Sequence, residues 1–110
     1  MRRVLLIDQS KEHVAALKAP LCRRGFQVRV EDLRWRAIQV LRQSVPRWEF
    51  VVIVARGNAE EDVTLLRDLI VASQQFHQSE SPEFLLAACT SCAPSLRIQI
   101  AQMGARYVRL

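Results

Sequence analysis

"FVVIVARGNAEED", residues 50–62, changes its period partway along. Phe50 to Val54 form an unbroken apolar run of strand length, the pattern expected of a strand buried on both faces. A short polar turn follows, and then Glu60, Glu61 and Asp62 open a helix with acids where they favour the positive end of its dipole. The amphipathic pattern continues through "EEDVTLLRDLIVASQQF". A strand that passes directly into a helix is half of a parallel βαβ unit, so the flanking sequence decides the fold class.

Upstream, the same alternation occurs twice. "RVLLID" is a buried strand bounded by a turn, and Ser10 is placed to cap a helix whose Val14, Leu17 and Leu21 have helical spacing. Gly25 supplies the stop, and Pro20 inside that helix is expected to kink it. "FQVRV" is a shorter alternating strand, followed by a helix over "RWRAIQVLRQS" with Ala37, Ile38 and Leu41 turned inward and Pro46 ending it. Downstream, the loop "HQSESP" leads to a strand "EFLLAA", a helix "APSLRIQIAQMG" and a short strand "ARYVRL". The order βαβαβαβαβ predicts a single α/β domain over residues 1–110, with a parallel sheet and right-handed crossovers.

Composition narrows the functional classes. Half of the 110 residues are hydrophobic, enough for one core. No stretch approaches the ~20 apolar residues of a spanning helix, and "MRRVLLIDQS" turns polar too early for a signal-peptide core, which points to a cytoplasmic protein without a membrane partner. The formal charge of +5 comes from scattered arginines rather than from one groove-sized basic face, so nucleic-acid binding is not the expected role. After "LLID" comes "QSKEH", without glycine, so neither a dinucleotide fingerprint nor a phosphate-cradling loop is present and no cofactor is expected. Sheets of this kind bind ligands at the carboxyl ends of their strands.

The succession "VLLID", "RRGFQVRV", "AIQVL", "WEFVVIV", "EFLLAA" and "MGARYV" resembles a response-regulator receiver domain over nearly the whole chain. The resemblance implies a flavodoxin-like sheet of order 2-1-3-4-5. It also implies an acidic pocket with a divalent metal and a phosphate-accepting aspartate. This sequence keeps one position of that pocket and departs from it at the others. Asp8 falls on the first acidic position, but Gln9 stands where the second carboxylate would be. Val54 occupies the phosphate-accepting position, and Ala87 stands where a threonine or serine would read the phosphoryl group. No lysine follows Lys18, and Arg109 or Leu110 lies where the fifth strand should end in one. The resemblance is therefore to a degenerate receiver, a pseudo-receiver, with no catalytic residue, no phospho-acceptor and no metal site. The family's final helix is also missing after the fifth strand.

Several residues admit two readings. Asp8 is either a remnant ligand at that pocket or a carboxylate that ends a strand, and a lone carboxylate is a poor magnesium site. Arg56 either pairs with Asp8 and holds the pocket in one state, or is a solvated loop arginine. Cys89 and Cys92 form a CxxC at a helix start, where a thiol's pKa falls, but the remainder of a thioredoxin-like pattern is missing. With Cys22 they make an odd number of thiols, which fits a reducing compartment. Trp48 should cover the lower end of the sheet, and Trp35 is read as packing rather than as an interface anchor.

These readings converge on a non-enzymatic, phosphorylation-independent signalling domain, the N-terminal pseudo-receiver of a transcriptional or signalling regulator, working by contact with a protein partner or a second copy. The resemblance places that contact on the fourth helix and fifth strand, with Leu96, Ile100, Met103, Tyr107 and Val108 as its interface. The alternatives are a redox-responsive protein using Cys89 and Cys92, or a basic nucleic-acid accessory protein.

Overall fold

The computed structural model describes residues 2–8, 11–42, 48–55, 58–76, 82–88 and 93–109. Strands and helices alternate along the chain as β1 (Arg3–Ile7), α1 (Lys11–Arg23), β2 (Gln27–Glu31), α2 (Arg34–Arg42), β3 (Phe50–Val54), α3 (Ala59–Phe76), β4 (Glu83–Ala88), α4 (Pro94–Gln102) and β5 (Arg106–Arg109). All strand pairings are parallel, and the sheet order is β2-β1-β3-β4-β5, as expected. β1 is an interior strand between β2 and β3, and Val4 to Ile7 are each at most 1% exposed. Ser10, Pro46, Arg56, Cys89 and Cys92 lie outside the described residues.

Strand register divides the apolar side chains between two faces. Leu5, Ile7, Val51, Ile53, Phe84 and Leu86 form the main core with Ala37, Val40 and Leu41 of α2, the Leu65–Ile70 stretch of α3 and Ile100 of α4. Val40, rather than Ile38, completes the buried side of α2, and Ile38 is half-buried against the core. The opposite face carries Val4, Leu6, Val52, Val54, Leu85 and Ala87, and α1 packs there. An open apolar groove of about 260 Å³ runs between Leu17, Pro20 and Leu21 of α1 and the side chains of Val52, Leu85 and Val108. Val52 and Leu85 are only half-buried, and Val108 is 39% exposed.

Local chemistry sets the element ends. At the end of α1 the Gly25 N–H donates to the Cys22 carbonyl and the Phe26 N–H to the Leu21 carbonyl, a Schellman pair that needs the left-handed backbone of Gly25, φ 89°. Gly104, φ 81°, repeats this after α4, with the Ala105 N–H on the Ile100 carbonyl. α1 runs through Pro20 as one helix, and the Arg24 N–H reaches the Pro20 carbonyl at 3.2 Å. The two edge strands display arginines, Arg29 on β2 and Arg106 and Arg109 on β5, which discourages pairing with further strands and accounts for part of the scattered positive charge.

The two tryptophans behave differently. Trp48 is 4% exposed beneath the Arg3 guanidinium, which lies 4.0 Å from its ring centroid, so it covers the lower end of the sheet as expected. Trp35 is 58% exposed, which overturns its reading as a packing residue. The buried side of α2 is set by Ala37, Val40 and Leu41, and position 35 projects away from it.

Candidate functional site

The carboxyl ends of β1, β3 and β4 come together at one level. Ile7 pairs with Ile53, so the next residue, Asp8, stands beside Val54, and Val54 in turn pairs with Ala87. The Ala55 N–H donates to the Ala87 carbonyl at 2.7 Å, which locks the two strand tips together. On the other side the Asp8 N–H donates to the Glu31 carbonyl at 3.1 Å. Asp8 is 6% exposed, Val54 2% and Ala87 2%. The tip therefore sets the buried Asp8 carboxylate beside the aliphatic Val54 and Ala87, with the buried Glu31 at the end of the neighbouring β2. Gln9, Arg56 and Leu110 are outside the described residues, and Arg109, paired with Ala88, is exposed on β5.

The chemistry available at this level is narrow. Valine and alanine offer no nucleophilic oxygen or hydroxyl, and a magnesium ion takes several hard oxygen ligands. Among the described residues no three carboxylate, thiol or imidazole groups gather as metal ligands would.

The same fold occurs in proteins of known structure. A response regulator from Thermotoga maritima superposes with a TM-score of 0.78 at 21% identity, over 99% of this chain and 84% of that one. The chemotaxis protein CheY4 of Vibrio cholerae gives 0.77 at 14% identity, over 100% and 85%. The chain has the receiver fold. A response regulator from Burkholderia pseudomallei, whose structure contains a phosphorylated aspartate, a calcium ion and citrate, gives 0.76 at 18% identity; this chain is covered over 99% of its length but spans only 59% of that protein. Neither a protein-family model nor a curated protein matches the chain.

Within the receiver fold, the expected contact surface divides by burial. Ile100 is 1% exposed and belongs to the core, so it is corrected from an interface residue to an interior one. Leu96, Met103 and Tyr107 are half-buried against that core, with the Arg97 guanidinium 5.1 Å from the Tyr107 ring centroid. Val108 and Ile98, the latter 59% exposed, are the apolar side chains that face outward there.

Sequence reasoning missed two buried acids near the strand tips. Glu31 ends β2 at 9% exposure, and the Arg29 Nε donates to its Oε1 at 3.0 Å. The signal was the spacing of the two residues, since positions two apart on a strand share a face. Asp62 was read as one of three first-turn acids, yet it is 4% exposed while Glu60 and Glu61 are exposed. The start of α3 is fixed by Asn58, whose side-chain Oδ1 accepts the Glu61 N–H at 3.3 Å and whose carbonyl accepts the Asp62 N–H at 3.0 Å. "NAEE" has the spacing of a capping box, which would have placed the helix one residue earlier. No helix among the described residues is long and apolar enough to cross a membrane.

Proposed function

We propose that this chain is a pseudo-receiver: a cytoplasmic, non-enzymatic signalling domain that acts by protein contact and independently of phosphorylation. The observation that carries the reading is the sealed aliphatic pair Val54 and Ala87 at the level of Asp8, where the resemblance calls for an acceptor and a hydroxyl. A receiver switches because a new charge at that place favours one of two conformations. Without an acceptor oxygen the charge has nowhere to attach, so the surface is presented in a constant form. Its outlet is pairing with a second copy through the apolar α1-side groove, which β5 lines with Val108, and the fourth helix is left free to meet another regulator module.

Titration of the protein with beryllofluoride and magnesium, followed by amide NMR, tests the phosphorylation-independent part. The expected outcome is an unchanged spectrum around the strand tips. Saturable shifts clustered at Asp8, Val54 and Ala87 would show a working pocket and end the proposal.

A further inference from the structure

One wall of the α1-side groove is a single helical stripe. Leu17, Pro20 and Leu21 of α1 and Arg24 just beyond it follow the i, i+3, i+4, i+7 pattern of one helix face, and all four line the groove. Seven residues of helix advance about 10 Å, so three apolar side chains lead along that length to one guanidinium. Val52 and Leu85, both half-buried, and the 39% exposed Val108 line the sheet side. The volume of about 260 Å³ lies just below the ~300–1,000 Å³ of sites for drug-sized ligands, and it suits one narrow chain.

The charges are gathered at one end. The turn after Arg24 leads into β2, whose Gln27 N–H donates to the Arg2 carbonyl at 2.8 Å, so Arg24 stands where the strands begin. The acids at that end are already matched, Glu83 with Arg106 at 3.1 Å and Glu49 with Arg2 at 3.4 Å. Among the described residues no carboxylate pairs with the Arg24 guanidinium. Arg24 is therefore the surplus cation at the end of an apolar slot. Lys18 and Arg23, exposed on the outer side of α1, add charge of the same sign.

From this arrangement we infer that the groove binds a single-chain amphiphile with one anionic head, a medium-length fatty carboxylate. Its alkyl chain would lie along Leu17, Leu21, Val52 and Leu85, covering apolar surface that the fold leaves in water. Its carboxylate would sit on the Arg24 guanidinium, whose fork matches two carboxylate oxygens. A neutral chain leaves Arg24 unmatched, and a double-chain lipid exceeds the volume. The consequence for the domain rests on the pairing proposed above. The carboxylate and a second copy cover the same side chains, so each excludes the other by occlusion, without a conformational change.

The test is amide NMR of the intact chain titrated with decanoate below its micelle-forming concentration, alongside Arg24→Glu and Arg23→Glu. Arg23→Glu makes the same charge change one residue away, outside the groove lining. The expected result is saturable shifts at Leu21, Val52, Leu85 and Val108, with Kd raised about tenfold or more by Arg24→Glu and at most about twofold by Arg23→Glu. Decanol should bind more weakly than decanoate and equally to the parent and to Arg24→Glu, which shows that the variant's groove is intact. The inference is overturned by an absence of saturable shifts, by equal weakening in the two variants, by decanol binding as tightly as decanoate, or by binding to phosphatidylglycerol vesicles in place of decanoate. Sedimentation equilibrium with and without decanoate separates the inference from the pairing. A dimer that decanoate dissociates supports both, and a monomer that binds decanoate supports the inference while removing the pairing. A dimer that decanoate leaves intact overturns the inference and spares the pairing.

Discussion

Val54 on β3 and Ala87 on β4 are register partners with both side chains sealed from solvent, and the carboxylate of Asp8 belongs to the neighbouring strand at the same level. Placing an acid at position 54 therefore does not rebuild a receiver. Val54→Asp would bury a carboxylate beside Asp8, with aliphatic Ala87 on its other side, and an unpaired buried polar or charged group costs roughly 2–4 kcal/mol. Urea unfolding should show a loss of that order, and acetyl phosphate should leave the variant's mass unchanged. A variant as stable as the parent would mean that the strand tips open to water far more than their burial indicates.

Ser73 is a weakness in the core. It lies on α3 at 0% exposure, and its Oγ has no hydrogen-bond partner among the described residues. Ser73→Ala removes an unsatisfied hydroxyl and improves helix propensity, and together these should stabilise the domain by about 1 kcal/mol. An upward shift of the urea midpoint with an unchanged slope is the expected signature. A downward shift would reveal a partner for that hydroxyl.

Two residues near the C-terminal end of α1 oppose each other energetically. Pro20 lacks the N–H that would reach the Ala16 carbonyl, and it is exposed, so Pro20→Ala restores a helical bond without a packing cost. After allowance for the looser unfolded chain, the gain should be about 1–2 kcal/mol. Gly25→Ala should do the reverse. Its φ of 89° is unfavourable for any side chain, although an added Cβ would meet nothing within 4 Å, so the loss of about 1 kcal/mol is purely conformational. Thermal melts of the two variants should move in opposite directions. A strongly destabilised Pro20→Ala would show that the proline ring itself supports the groove wall.

How much of this was legible in the sequence depends on what each residue's neighbours could reveal. β3 and β4 were placed residue for residue because both are runs with little polar interruption, bounded by turns. β2 was set one residue early because Glu31, a charged side chain, looked like the start of a loop until its partnership with Arg29 was visible. Trp35 was misread on residue type, although the inward Ala37 and Leu41 already put position 35 about 200° and 240° around the helix from them. Strand order came from the receiver resemblance, and the division of helices between faces then followed from handedness. Val54 and Ala87 were located by the same resemblance. The burial of Asp62 was legible only from the helical period, which puts it on the same face as Leu66 and Leu69, one and two turns further on.

Five strands at ~4.8 Å spacing make a sheet about 24 Å wide, whereas one helix with its side chains covers only ~10 Å. The α1 side is consequently covered in part, and the row Leu6, Val52, Leu85, Arg106 passes from fully buried at the centre to exposed at the edge. The rim suits a second copy of the same chain. Arg106 donates to Glu83 at 3.1 Å and Arg2 pairs with Glu49 at 3.4 Å, so each copy brings both signs of charge to the lower edge of the patch and can exchange partners across a two-fold axis. Sedimentation equilibrium at micromolar concentration should therefore find a reversible dimer. Val108→Glu, at a position 39% exposed and hence tolerant within the fold, should weaken that dimer by about tenfold or more while leaving the unfolding slope of the monomer unchanged. A well-behaved monomer for the parent chain, melting cooperatively at all concentrations, would show that the groove is stable in water and that pairing is not its use.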